Sequence, residues 1–156
     1  MAPLRRTEQL KRAALVAGAV VLVGGSLMAA ACSPSSSGPA TPACVQDLST
    51  TCQPLYAPAT FDTLYTKLFV PTCASGTGTC HTPDAAKGGL VFASPDDAYA
   101  RLVTQGRVTP NDPACSLIMK RLTSTDPNFH MPPGPTSISA GAECTIVQWI
   151  AAGAKR

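Results

Sequence analysis

The chain has 156 residues, which suits one ordinary domain with additional segments. Its 12 Lys and Arg against 9 Asp and Glu give a formal net charge of +3, and residues 1–31 hold the whole excess as four basic side chains and one acidic one. Residues 32–156 are therefore neutral, which argues against a nucleic-acid-binding domain. The scarcity of long β-branched runs argues against a doubly wound dinucleotide-binding fold.

An export signal is predicted for residues 1–31. A basic start precedes an uncharged, mostly apolar run of 19 residues, 13–31, that ends in small residues. Because this run is nearly long enough to cross a bilayer, an uncleaved anchor is the alternative. Residues 27–32 resemble a bacterial lipoprotein signal, which implies that Cys32 becomes the lipidated first residue. Lipidation of Cys32 also accounts for the odd count of seven cysteines, and an oxidising compartment would then bond the other six.

A linker is predicted for residues 32–59. Residues 33–58 contain five Pro and many Ser and Thr, and they show neither helical nor strand periodicity. Cys44 and Cys52 lie in this stretch with seven residues between them. A local Cys44–Cys52 disulfide that closes a small loop is the expectation.

The first two of four predicted helices follow the linker. The first begins at Thr60, a suitable N-cap, and its apolar residues recur at i, i+3, i+4, i+7 and i+8 until Pro71 ends it. The second begins at Ser94, which is followed by Pro and two Asp residues, and runs to about Val103. Both starts combine a side-chain cap with acidic residues in the first turn.

The remaining predicted helices lie in the C-terminal third of the chain. The third begins at Asp112 and runs to about Leu122, and the fourth begins near Ser139 and ends at Gly153. The only strand candidate is the three-residue stretch 90–92. The sequence therefore predicts a small all-α fold of about four short helices joined by long Gly- and Pro-rich loops.

Such a fold needs a staple. Four short helices make a small core in a chain with only 5% aromatic residues. The loops 70–93 and 123–138 are long for a compact domain. Disulfides, a metal or a large flat cofactor would hold loops of this length.

The residues with the clearest chemistry come directly after the first predicted helix. Cys73, Cys80 and His81 form an expanded version of Cys-x-x-Cys-His, the attachment signature of c-type haem. Six residues separate the cysteines instead of two. The four extra residues cost only about 1 kcal/mol of loop entropy, and Gly76 and Gly78 ease the bulge.

A second candidate ligand lies in the Met-Pro-Pro-Gly segment that starts at Met131. A thioether is a soft, neutral ligand that raises the reduction potential of iron, and the prolines limit the freedom of its loop. His130, directly before it, is the competing ligand because imidazole binds iron well.

The order of a helix, Cys…Cys-His, a loop reaching Met-Pro-Pro and a C-terminal helix resembles class I c-type cytochromes, and residues 60–154 resemble the planctomycete-type cytochrome c domain. The matching segments are 69–73, 80–81, 88–90, 108–113, 116–118, 131–133 and 148–154. The resemblance implies covalent haem c attached to Cys73 and Cys80, with His81 as proximal and Met131 as distal iron ligand.

Two further cysteines are additions to that family pattern. Cys115 and Cys144 both lie near predicted helix starts, which suggests a Cys115–Cys144 disulfide between the third and fourth helices. With haem, two disulfides and two thioethers use all six cysteines; without haem, a Cys73–Cys80 disulfide would be the third bridge. The parity of the cysteines does not separate the two cases.

These observations predict a lipid-anchored, exported monohaem cytochrome that carries single electrons and is not an enzyme. It would lie on the periplasmic or outer-surface face of a bacterial membrane with a redox partner protein at the envelope. The alternative is a haem-free, disulfide-stabilised lipoprotein that keeps the scaffold as a binding or structural module. A peroxidase with an open distal site comes third. A zinc site built from Cys73, Cys80, His81 and His130 is disfavoured, because an oxidising compartment bonds thiols.

Overall fold

The structure is a computed structural model that describes residues 42–75 and 79–156. The predicted export signal, Cys32 and the first ten residues of the predicted linker lie outside the described residues. Within the part that is described, no helix has the length and apolar character needed to cross a membrane.

The described residues form a helical domain without β-strands, which confirms the predicted all-α class. Helix α1 (Phe61–Leu64) continues directly into a π-helical segment, Tyr65–Cys73, and helix α2 (Pro95–Tyr99) continues into a second one, Ala100–Thr104. Helices α3 (Leu117–Leu122) and α4 (Ala140–Ala151) follow. Two single 3-10 turns, Thr79–His81 and Lys87–Gly89, lie between the first two helices.

Side-chain caps fix three of the helix starts where the sequence predicted them. The hydroxyl oxygens of Thr60, Ser94 and Ser139 each accept a hydrogen bond from the backbone N–H three residues later, at 3.3, 3.3 and 3.2 Å. Each bond satisfies one of the N–H groups that a helix start leaves without an intrahelical partner.

Two details of the predicted helices are wrong. Pro71 does not end the first helix: it lies inside the π-helical segment, and the Ala74 N–H still donates to the Val70 carbonyl at 3.2 Å. The third helix begins at Leu117, since Asp112 instead caps a turn by accepting from the Cys115 N–H at 3.0 Å. The strand candidate 90–92 forms no regular element.

The core is built around α4. Trp149 is 1% exposed, and its indole N–H donates to the Lys155 carbonyl at 2.8 Å. The fully buried Phe61 ring of α1 lies 5.8 Å from the Trp149 ring and meets the Tyr99 ring of α2 edge-on at 5.1 Å. A few aromatic side chains therefore join three of the four helices.

Residues 42–59, named here the N-terminal strap, correct the predicted linker. They form no helix or strand, but they pack along one face of α4. The Leu55 N–H donates to the Gly141 carbonyl at 2.8 Å, and the Gln148 side-chain amide donates to the Cys52 carbonyl at 2.9 Å. The strap is therefore part of the folded domain.

Both predicted disulfide pairings are wrong. The structure joins Cys44 to Cys115 and Cys52 to Cys144, so that each bridge ties the strap to the helical domain. The segment before α3 also accepts from the strap, since the Val45 N–H donates to the Ala114 carbonyl at 2.9 Å. The strap lies across α4 and reaches the segment before α3. Each of its two cysteines therefore lies next to a cysteine of the helical domain and bonds to that residue instead of to the other strap cysteine. The prediction of a disulfide-stapled fold is confirmed.

The two disulfides between the strap and the helical domain should stabilise the folded state strongly against unfolding. Replacing Cys52 and Cys144 together by Ser should lower the free energy of unfolding by about 3–5 kcal/mol, because that bridge closes a loop over a sequence separation of 92 residues. Urea unfolding of the oxidised proteins measures the loss. Peptide mapping under non-reducing conditions should recover the two crossed bridges, whereas a peptide that links Cys44 to Cys52 would contradict them.

Candidate functional site

A cavity of about 360 Å³ lies between the helices. Its volume falls in the range of small-molecule and cofactor sites. Most of the lining is apolar and comes from all four helical regions and two loops: Leu68, Phe69, Leu90, Phe92, Leu102, Leu117, Ile118, Leu122, Ile138 and Ile146. Such a lining favours a large apolar ligand over a hydrated one.

Three of the four predicted cofactor-binding residues line this cavity. Cys73 comes from the end of the first π-helical segment, His81 from the turn Thr79–His81, and Met131 from the loop between α3 and α4. Cys80 shares a turn with His81 but is not among the lining residues. The fold therefore brings together side chains that are far apart in the sequence.

The His81 ring is held in one orientation. Its Nδ1 lies 3.2 Å from the Leu90 carbonyl oxygen, which can only accept, so Nδ1 carries the proton and Nε2 keeps a free lone pair. The Phe92 ring meets the imidazole edge-on at 5.7 Å and stacks on Phe69 at 5.0 Å. The Phe92 ring, itself packed on Phe69, and the Leu90 carbonyl thus fix the imidazole at the cavity.

Burial keeps His81 neutral. Desolvation lowers the pKa of the imidazole, and the positive charges of Arg107 and Arg121 lower it further, against the opposing effect of the Leu90 and Lys87 carbonyls. A neutral imidazole is the form that binds a metal.

Cys73 and Cys80 are free thiols, and both are half-buried. Burial raises the pKa of the Cys73 thiol to about 11, and the nearby Cys80 adds to the increase. The two thiols are therefore close enough to interact, although segment 76–78 between them lies outside the described residues. The Cys73–Cys80 disulfide of the haem-free alternative is not formed.

Met131 lines the cavity, and a backbone hydrogen bond fixes its position. Its N–H donates to the Arg121 carbonyl at 2.9 Å, while the N–H of His130 donates to the Asp126 carbonyl at 2.7 Å. His130 does not line the cavity. Of the two adjacent candidate ligands, the structure brings Met131 to the site.

Three cationic side chains at the cavity were not predicted: Lys87, Arg107 and Arg121. Arg107 is held by the carbonyls of Gly88 and Arg101, each at 2.8 Å. Gly88 has φ of +62°, a left-handed conformation that favours glycine and turns the chain back toward this guanidinium. The sequence carries no signal for this cluster, because three isolated cations in a neutral chain have no recognisable spacing.

The cavity residues fit covalent haem. His81 and Met131 would offer an imidazole and a thioether to the iron, the apolar lining would suit the porphyrin faces, and the cations would complement the two haem carboxylates. Within the described residues, no group of three or more His, Cys, Asp and Glu side chains is placed to hold a metal ion.

The described residues form a small, disulfide-stapled all-α domain with an apolar cavity between its helices. Residues 78–135 match the family described as Planctomycete cytochrome C, and this match includes Cys80, His81 and Met131. Over these residues the match confirms the resemblance predicted from the sequence, while Cys73 and segment 148–154 lie outside the matched range. No curated protein and no solved structure matches the chain.

The raised pKa of Cys73 predicts slow alkylation in the haem-free protein. With a pKa of about 11 against an ordinary 9.0, the thiolate fraction at pH 8 should fall about 100-fold. Iodoacetamide labelling followed by mass spectrometry should show a Cys73 rate that rises with pH well above pH 9. The urea-unfolded chain is the control, and equal rates in the folded and unfolded chains would contradict the buried position of the thiol.

Proposed function

We propose that the protein is an exported, lipid-anchored monohaem c-type cytochrome that transfers single electrons at the bacterial cell envelope. The observation that carries the proposal is the convergence of Cys73, His81 and Met131 on one apolar cavity. The match to Planctomycete cytochrome C supports it and agrees with an electron carrier rather than an enzyme.

The cysteines would hold the haem as thioethers. Each thiol would add across one vinyl group, with its sulfur on one carbon and its hydrogen on the other, so that the addition would need no oxidant. Because Cys80 and His81 share one turn, a thioether at Cys80 also fixes the imidazole relative to the porphyrin. The haem, when bound, supplies an iron that gains and loses one electron.

The protein would tune this iron through its two ligands. The Leu90 carbonyl orients His81 and makes the imidazole more basic, in the way that outer-shell acceptors act on metal-bound histidines. The thioether of Met131 is neutral and soft, so it stabilises the ferrous state and raises the reduction potential. The apolar lining also disfavours the extra charge of the ferric state.

The charge of the domain and the length of its membrane tether would determine how it encounters a redox partner protein. Residues 32–156 carry no net charge, so long-range steering is weak, while Lys87, Arg107 and Arg121 suit short-range contact with an acidic surface. Eleven residues separate Cys32 from Cys44, which the strap fixes to the domain. Lipidation at Cys32 would hold the domain within about 40 Å of the membrane and favour a partner at the envelope.

Exchange of His81 for Ala tests haem binding. When the exported protein is produced together with haem-maturation machinery, His81→Ala should lose most of its covalent haem, because the imidazole ligand is missing. His130→Ala is the matched control and should keep its haem. The readout is haem that stays with the chain after denaturation. A colourless wild-type protein with a Cys73–Cys80 disulfide would support the haem-free binding module instead.

Exchange of Met131 for Ala tests the second ligand. The reduction potential should fall by on the order of 100 mV, well inside the range of about 0.8 V that axial ligands span, or the iron should bind added imidazole. Potentiometric titration and absorbance spectra measure both effects. Met119→Leu, a change at a buried methionine that does not line the cavity, is the control. An unchanged potential and spectrum in Met131→Ala would remove Met131 from the ligand set.

A further inference from the structure

We propose that Arg121 is a positioning residue that presents Met131, and not His130, to the cavity and so selects the distal iron ligand. This inference rests on the proposed function. It concerns a choice built into this chain, since two adjacent side chains can both bind iron. Imidazole and thioether give different potentials, so the choice sets the redox range of the protein.

The choice depends on the backbone between α3 and α4. Side chains of consecutive residues leave the backbone in different directions, so a change in the local path of the loop would exchange His130 for Met131 at the cavity. The contacts that fix the path of the loop therefore decide which of the two side chains reaches the cavity.

Arg121 supplies that hold. Its carbonyl accepts from the Met131 N–H at 2.9 Å, and its guanidinium Nη1 donates to the Phe129 carbonyl at 3.2 Å. The guanidinium carbon also lies 4.3 Å from the centre of the Phe129 ring. One residue of α3 thus grips the loop on both sides of His130.

The other hydrogen bonds of this loop that the described residues show lie within the loop itself. The Asp126 carbonyl accepts from the N–H groups of Phe129 and His130, and its carboxylate accepts from the Asn128 N–H at 2.9 Å. In the described part of the chain, the hydrogen bonds that join residues 124–131 to the remainder of the domain both come from Arg121. Loss of its side chain therefore leaves a compact turn with one anchor.

The guanidinium suits this role better than an ammonium. Its flat face stacks on the Phe129 ring while its edge donates to the carbonyl, and a lysine cannot do both. Arg121 takes part in neither of the ion pairs found among the described residues, which are Arg101–Asp97 and Arg156–Asp96. Its side chain is therefore not held by a carboxylate.

The experiment compares Arg121→Met, Arg121→Lys and Phe129→Leu with Lys120→Met. The first change keeps the aliphatic stem and removes the donor, the second keeps the charge, and the third removes the ring. Lys120 is the neighbouring cation of α3 and has no described hydrogen bond to the loop, so its exchange is the matched control.

The haem-free protein gives the first readout. Amide hydrogen exchange at Met131 should become about tenfold faster in Arg121→Met, which corresponds to about 1.4 kcal/mol, and should stay unchanged in Lys120→Met. Phe129→Leu and Arg121→Lys should have intermediate effects. An unchanged exchange rate in all three loop variants overturns the proposed hold, whether or not haem binds.

The haem-loaded protein gives the second readout. Arg121→Met should weaken the sulfur-to-iron charge-transfer band of the ferric state and lower the potential, as His130 replaces Met131. Adding His130→Ala should restore the band, which a merely structural role of Arg121 would not explain. A band and potential equal to those of Lys120→Met overturn the inference. A wild-type protein without haem overturns the proposed function instead, and the exchange measurement still tests the hold.

Discussion

The apolar cavity is the constraint on which the rest of the domain depends. The residues that line the cavity of about 360 Å³ lack the close packing on one side that stabilises a protein core. The two disulfides offset part of this loss, because bridges that close loops over 71 and 92 residues each contribute about 3–5 kcal/mol. The strap and its bridges therefore let a small helical shell keep a large site.

The same constraint explains where the helices depart from regular geometry. Both π-helical segments, Tyr65–Cys73 and Ala100–Thr104, contribute residues to the cavity wall. Wider turns of this kind are rare and occur mostly at functional sites. In the first segment the wide geometry also accommodates Pro71, and Cys73 follows at the cavity edge.

Electrostatics at the site follow from burial and from a few fixed dipoles. The Leu90 carbonyl selects the His81 tautomer, while desolvation and two arginines keep the ring neutral. Arg121 has two roles at the site: it lines the cavity, and its guanidinium donates a hydrogen bond to the loop that carries Met131. The position of Met131 and the local charge at the cavity are therefore coupled through one side chain of α3.

The sequence by itself determined the helical class, three of the four helix starts and three of the residues that meet at the cavity, because caps, periodicity and the Cys-His and Met-Pro-Pro motifs are local signals. Only the tertiary structure decided that Cys44 pairs with Cys115, and that Arg107 and Arg121 reach the cavity. Connectivity and cavity lining depend on which segments cross in space. The parity of cysteines and the spacing of charges along a chain do not record that.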